Sequence, residues 1–88
     1  MRYEFDPTKD ESNLNKHGLS LANAENFEWD TAVVREDKRQ QYGEPRYEAK
    51  GYIGNRLHVM VFCIRPNAVR AISLRKANPR EVKSYAET

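Results

Sequence analysis

Residues 46–64, RYEAKGYIGNRLHVMVFCI, hold two neighbouring segments with different hydrophobic periods. From Arg46 to Ile53 the side chains alternate. Tyr47, Ala49, Gly51 and Ile53 point one way and Arg46, Glu48, Lys50 and Tyr52 the other, the period of two expected of a strand. Gly54-Asn55 reads as a tight hairpin turn. Leu57 to Ile64 is almost continuously apolar, which suits a central strand covered on both faces. The sequence around this hairpin extends the sheet. Thr31 to Glu36 is β-branched and reads as a strand, followed by a polar loop from Asp37 to Pro45. After the turn Arg65-Pro66-Asn67, Val69 to Lys76 reads as a further strand.

The helical signals lie at the two ends. Arg2 to Phe5 is a short strand, and Asp6-Pro7 starts a helix that runs to His17 and stops at Gly18. Its apolar face is poor, with Leu14 the one large aliphatic. Ser20 caps a second short helix from Leu21 to Phe27. Asn78-Pro79-Arg80-Glu81 opens a last helix with Val82, Tyr85 and Ala86 on one face. The predicted order is β-α-α-β-β-β-β-α, an α+β fold with helices packed on a compact antiparallel sheet, as a single domain over residues 1–88.

Composition bounds what such a domain does. Leu, Ile, Val and Phe supply 17 of 88 residues, a thin core, yet the net charge of +2 is too small for a disordered chain. A multi-domain enzyme, a doubly wound nucleotide-binding fold and a disulfide scaffold are excluded. No membrane association is expected, because the longest strongly apolar run is eight residues and includes His58. Cys63 reads as a small buried hydrophobe, and one cysteine with two distant histidines makes no closed ligand set, so no metal or cofactor is expected. No leader is legible, which gives the cytoplasm as the expected compartment. Residues 1–30 carry 3 basic and 7 acidic side chains, residues 31–88 carry 12 basic and 6 acidic, and nine of the basic residues are arginine. An arginine-rich half suits phosphate, because the guanidinium fork matches phosphate oxygens; an ordinary solvated strand surface is the alternative.

Three strings in order resemble one family. Asp6-Pro7, Lys9, Asn13 and Lys16-His17-Gly18 are similar to the opening motif of the BrnT toxins of bacterial type II toxin–antitoxin systems. Arg46-Tyr47, Ala49 and Gly51 resemble the middle motif. Arg70 to Ala77, then Arg80-Glu81 and Tyr85, resemble the closing one. Phe5 stands where the family usually has Trp, and Cys63 and the Arg65-Pro66-Asn67 turn depart from its common pattern. The resemblance implies a RelE-like fold and an endoribonuclease that halts translation by cutting RNA. It also implies a partner, a BrnA-like ribbon-helix-helix antitoxin, in a heterotetramer that binds operator DNA through the antitoxin.

RNA cleavage without a metal needs an aligned 2′-hydroxyl, a proton acceptor, a proton donor and cations for the charge on phosphorus. Arg75 is the candidate for the last role, or else a strand-end arginine paired to a helix carboxylate such as Glu81. With a regular pleat Ala71, Ser73 and Arg75 share one face and Arg70, Ile72, Leu74 and Lys76 the other, and only a bulge would bring Arg70 beside Arg75. His17 suits acid–base work near neutrality, or a structural role at a helix C-terminus; Lys16 beside it touches RNA or solvent. Tyr85 packs on the sheet or contributes at the cleavage site. Arg46, Arg70, Lys76 and Arg65 are the candidate RNA-binding residues, with edge protection the alternative for Arg46 and solvated charge for Arg65. His58 reads as a core histidine and Trp29 as a core anchor. The rival function is a non-catalytic module that binds RNA or an acidic partner and blocks without cutting.

Overall fold

The computed structural model describes residues 2–39 and 41–88. The elements are β1 (Tyr3–Glu4), α1 (Pro7–His17), a 3-10 helix (Leu21–Asn26), β2 (Val33–Asp37), β3 (Arg46–Ile53), β4 (Arg56–Arg65), β5 (Ala68–Lys76) and α2 (Pro79–Ala86). They form an α+β structure around one sheet of order β1-β5-β4-β3-β2. Two expectations are corrected. The sheet is mixed, because β1 runs parallel to β5, pairing Tyr3 with Val69 and Glu4 with Arg70. The second helical segment is a 3-10 helix, Leu21–Asn26, and the chain leaves it where Phe27 bridges to Ile53.

Local chemistry sets the ends of the helices. Asp6 Oδ1 accepts from the Thr8 amide at 2.8 Å, Pro7 takes the first helical position, and Gly18 at φ 71° donates its amide to the Leu14 carbonyl. Asp10 then ties α1 to the 3-10 helix, its Oδ1 accepting from Ser20 Oγ at 3.0 Å and the Leu21 amide at 2.6 Å. Asn78 and Glu81 form a reciprocal capping box at the start of α2.

Both faces of the sheet are covered in part. On one, Leu21, Ala24 and Phe27 pack on Ala49, Met60, Phe62, Val69, Ala71 and Leu74. Trp29 closes this layer edge-on to Phe27 and Phe62, at 4.9 and 5.2 Å between ring centroids. Gly51 is required here: a Cβ would lie 2.6 Å from Phe27 Cζ. The other face buries Leu57, Val59 and Ala77 beneath Tyr52 and Tyr85. The eight-residue apolar run is thus explained, since β4 feeds both layers. Cys63 is buried, and so is His58, whose Nδ1 donates to the Arg56 carbonyl at 2.8 Å.

The first helix is attached by a polar residue. Leu14 is half exposed, while Asn13 is buried against the free edge of β5. Asn13 Oδ1 accepts from the Leu74 amide at 3.0 Å, and its Nδ2 donates to the Leu74 and Leu19 carbonyls, each at 2.8 Å. One side-chain amide therefore takes the place of a neighbouring strand.

Candidate active site

A single irregularity in β5 decides which of its side chains share a face. Val61 pairs with Ser73 and Phe62 with Ala71, so Ile72 is an extra residue, a β-bulge. Below the bulge Val69 and Ala71 face the main core; above it Leu74 does. The regular-pleat assignment is therefore corrected: Ala71 and Leu74 share the core face, and Arg70, Ser73 and Arg75 share the opposite one. Glu48 and Lys50 of β3 and Arg35 of β2 lie on that same face, by their pairing with Val61, Val59 and each other.

The arginines of this face are held by carboxylates. Arg75 forms a fork to Glu81, Nη1 donating to Oε1 at 2.7 Å and Nη2 to Oε2 at 2.8 Å. These bonds hold Arg75 above its ordinary pKa and depress Glu81 to about 2. Arg35 donates to Glu48 Oε1 at 3.1–3.2 Å, leaving Oε2 without a hydrogen bond among the described residues. Arg70 meets Glu4 at 3.4 Å, and Arg65 forks onto Glu44 at 3.1 and 3.2 Å. The Glu48 charge adds a smaller upward push on Arg75, behind its Glu81 partner, so this buried carboxylate lies within electrostatic reach of the site.

Along the free edge of β5 runs a groove of about 190 Å³ between α1 and the bulge, lined by Lys9, Ser12, Asn13, Lys16, His17, Ile72 and Ser73. His17 and Lys16 of α1 are thus brought beside Ser73, and Arg75 follows one pleat further on. His17 is pushed below its ordinary pKa, first by burial, then by the Lys16 and Arg75 charges. These effects favour the neutral imidazole, able to accept a proton beside three cationic side chains counting Lys9. Neither Lys9 nor Lys16 is in an ion pair among the described residues.

Other predicted residues stand elsewhere. Tyr85 packs edge-on against Tyr52, centroids 5.7 Å apart, and its hydroxyl donates to the Thr31 carbonyl at 2.7 Å, so its polar atom is engaged in holding α2 down. Lys76 pairs with His58 and so projects on the face opposite Arg75. Arg65 and Arg46 lie at the far end of the sheet, beside the loop that precedes β3.

The BrnT ribonuclease toxin model of type II toxin–antitoxin systems matches residues 5–81. The chain belongs to that family. No curated protein matches it. BrnT toxins are ribonuclease toxins by description, and membership implies an RNA target and an antitoxin. Within this BrnT fold the opening motif supplies one wall of the groove, Lys9, Lys16 and His17, and the closing motif supplies Ile72 and Ser73, with Arg75 one pleat beyond. Glu48, unassigned from the sequence, is a buried carboxylate between two cations on an alternating strand. Its signal was its position on the polar face with Arg46 and Lys50.

Proposed function

We propose that this BrnT-family toxin is a metal-independent endoribonuclease on a RelE-like fold, cutting single-stranded RNA by attack of a 2′-hydroxyl on the adjacent phosphate and so inhibiting translation. The observation that supports the reading is the groove that His17 and Lys16 of α1 share with Ser73 of β5, with Arg75 one pleat beyond Ser73 on the same face. His17 accepts the 2′-hydroxyl proton. Arg75, aimed by its fork to Glu81, donates to the phosphate oxygens as charge builds on them. Lys16 gives a proton to the leaving 5′-oxygen, and the products carry a 2′,3′-cyclic phosphate and a 5′-hydroxyl. The reading gives proton transfer to the side chains that line the groove, His17 and Lys16. Arg70 shares the face of Arg75 and suits a flanking phosphate.

The toxin acts in the cytoplasm, and a BrnA-like ribbon-helix-helix antitoxin silences it in a heterotetramer that binds operator DNA. No helix of the described residues is long and apolar enough to cross a membrane.

The test is cleavage of labelled single-stranded RNA by purified protein in EDTA. Cyclic-phosphate ends are expected, with at least tenfold loss in Arg75→Ala and at least a hundredfold in His17→Ala. Cutting that needs Mg²⁺, or an Arg75→Ala protein at full rate, overturns the mechanism. RNA that shifts on a gel but is never shortened supports the blocking module instead. A larger loss in Glu48→Gln than in His17→Ala moves the base to Glu48.

A further inference from the structure

At the opposite end of the sheet from the groove lies a second hollow that the cleavage reading leaves unused. It measures about 510 Å³ and is bounded by residues 36–38 and 41–46, where β2 ends and β3 begins. The loop is built around a buried charge. Asp37 Oδ1 accepts from Arg39 Nε at 2.8 Å and Oδ2 from Arg39 Nη2 at 2.8 Å, and Oδ2 also accepts from the Tyr42 hydroxyl at 3.3 Å. These bonds hold the Asp37 carboxyl well below the usual carboxylate range. Tyr42, so anchored, lies under the Arg46 guanidinium, whose carbon is 4.0 Å from the ring centroid.

Arg46 differs from the other arginines of this face. Arg35, Arg39, Arg65, Arg70 and Arg75 each pair with a carboxylate, whereas Arg46 makes no hydrogen bond among the described residues and its Nε is buried without an acceptor. A flat guanidinium fixed on an aromatic ring, with its donors unspent, is a receptor for an acceptor pair. The lining argues against phosphate, because Glu36, Asp37 and Glu44 outnumber Lys38 and Arg46. A neutral heterocycle with acceptors on one edge and donors on the next suits it better.

We propose that this hollow is a nucleobase subsite that selects guanine in the RNA, a specificity determinant that rests on the ribonuclease reading. The guanine extends the plane of the guanidinium over Tyr42. Its O6 and N7 accept from the two Nη groups of Arg46, the fork that pairs arginine with guanine elsewhere, and its N1–H and amino group turn toward the acidic lining of the hollow.

Two measurements decide it. In the first, the folded protein is titrated with guanosine and cytidine 5′-monophosphates and with inorganic phosphate, following backbone amide shifts by NMR. At least tenfold tighter binding of the guanosine nucleotide is expected, with shifts at residues 36–46, lost in Tyr42→Ala and Arg46→Lys and kept in Tyr42→Phe. Equal affinities, or displacement of the guanosine nucleotide by phosphate, overturn the proposal. In the second, cleavage ends are mapped on a random-sequence RNA. Guanosine is expected enriched at one fixed offset from the cut, with enrichment falling at least tenfold in Arg46→Lys; enrichment that is absent or unchanged overturns it. If the protein cuts no RNA, the ribonuclease reading fails and the titration alone decides the subsite.

Discussion

Replacing Asn13 by alanine should unfasten α1 from the sheet at a cost that can be worked from its three bonds. The substitution removes the acceptor of the Leu74 amide and the donor shared by the Leu74 and Leu19 carbonyls. The two Leu74 groups are buried, and stranding each costs about 1–3 kcal/mol. The Leu19 carbonyl is near solvent and recovers water, so the total is roughly 2–6 kcal/mol. An 88-residue domain has a total stability of roughly 4–13 kcal/mol, so the variant keeps about half. At about 4–8 °C per kcal/mol, its unfolding midpoint should fall by roughly 10–50 °C. Thermal unfolding by circular dichroism measures this, and hydrogen exchange should show the Leu74 amide losing protection first. Asn13→Asp keeps one acceptor but turns a carboxylate oxygen toward two carbonyls, and should be at least as damaging at neutral pH. An Asn13→Ala midpoint within a few degrees of the parent, with Leu74 still protected, would refute the claim that this side chain replaces a strand.

Three further outcomes follow from the same contacts. Because His17 sits below its ordinary pKa of 6.5, kcat/KM should be flat at neutral pH and fall as acid protonates the imidazole, and His17→Gln should abolish that limb of the profile. Glu81, depressed from 4.5 to about 2, stabilises the fold above its unfolded value; that contribution should fade as pH drops from about 4.5 toward 2, and Glu81→Gln should flatten this part of an acid titration followed by fluorescence. Gly51→Ala puts a methyl 2.6 Å from the Phe27 ring, and chemical denaturation should show a loss of about 1–3 kcal/mol, with Phe27→Leu restoring part of it.

The parts of this fold that repeat were legible in the residues. Alternation from Arg46 to Ile53 assigned every side chain of β3 to its observed face, and the capping residues Asp6, Ser20 and Asn78 marked all three helical starts. What escaped was set by partners distant in sequence. Two residues, Tyr3 and Glu4, have no period of their own, and their direction beside β5 depends on a β-bonding edge that sequence order does not display. Asn13 stands in the opening motif, but its role is not legible from the helix alone, because its partner is a backbone 61 positions away. Glu81 stands in the sequence reading as the alternative partner for Arg75, a strand-end arginine beside a helix carboxylate, and the fork is there.

The bulge at Ile72 is the point where sequence and site part company. A period of two carried through 70–76 separates Arg70 from Arg75 and puts Ser73 with Ala71. One inserted residue reverses this above Ile72, and nothing in the local string Arg-Ala-Ile-Ser-Leu marks it. Its cause is on both sides of the strand. Ala71 and Leu74 must both reach the main core, facing Phe62 and Met60, while Ala77 must reach the opposite layer under α2. Leu74 follows Ala71 by three positions, an odd offset that a flat pleat cannot satisfy with both side chains inward. The bulge resolves the conflict, and its consequence is chemical: Ser73 and Arg75 turn together to the side where α1 presents Lys16 and His17. The demand of the core for two apolar contacts thus sets which cation stands at the groove.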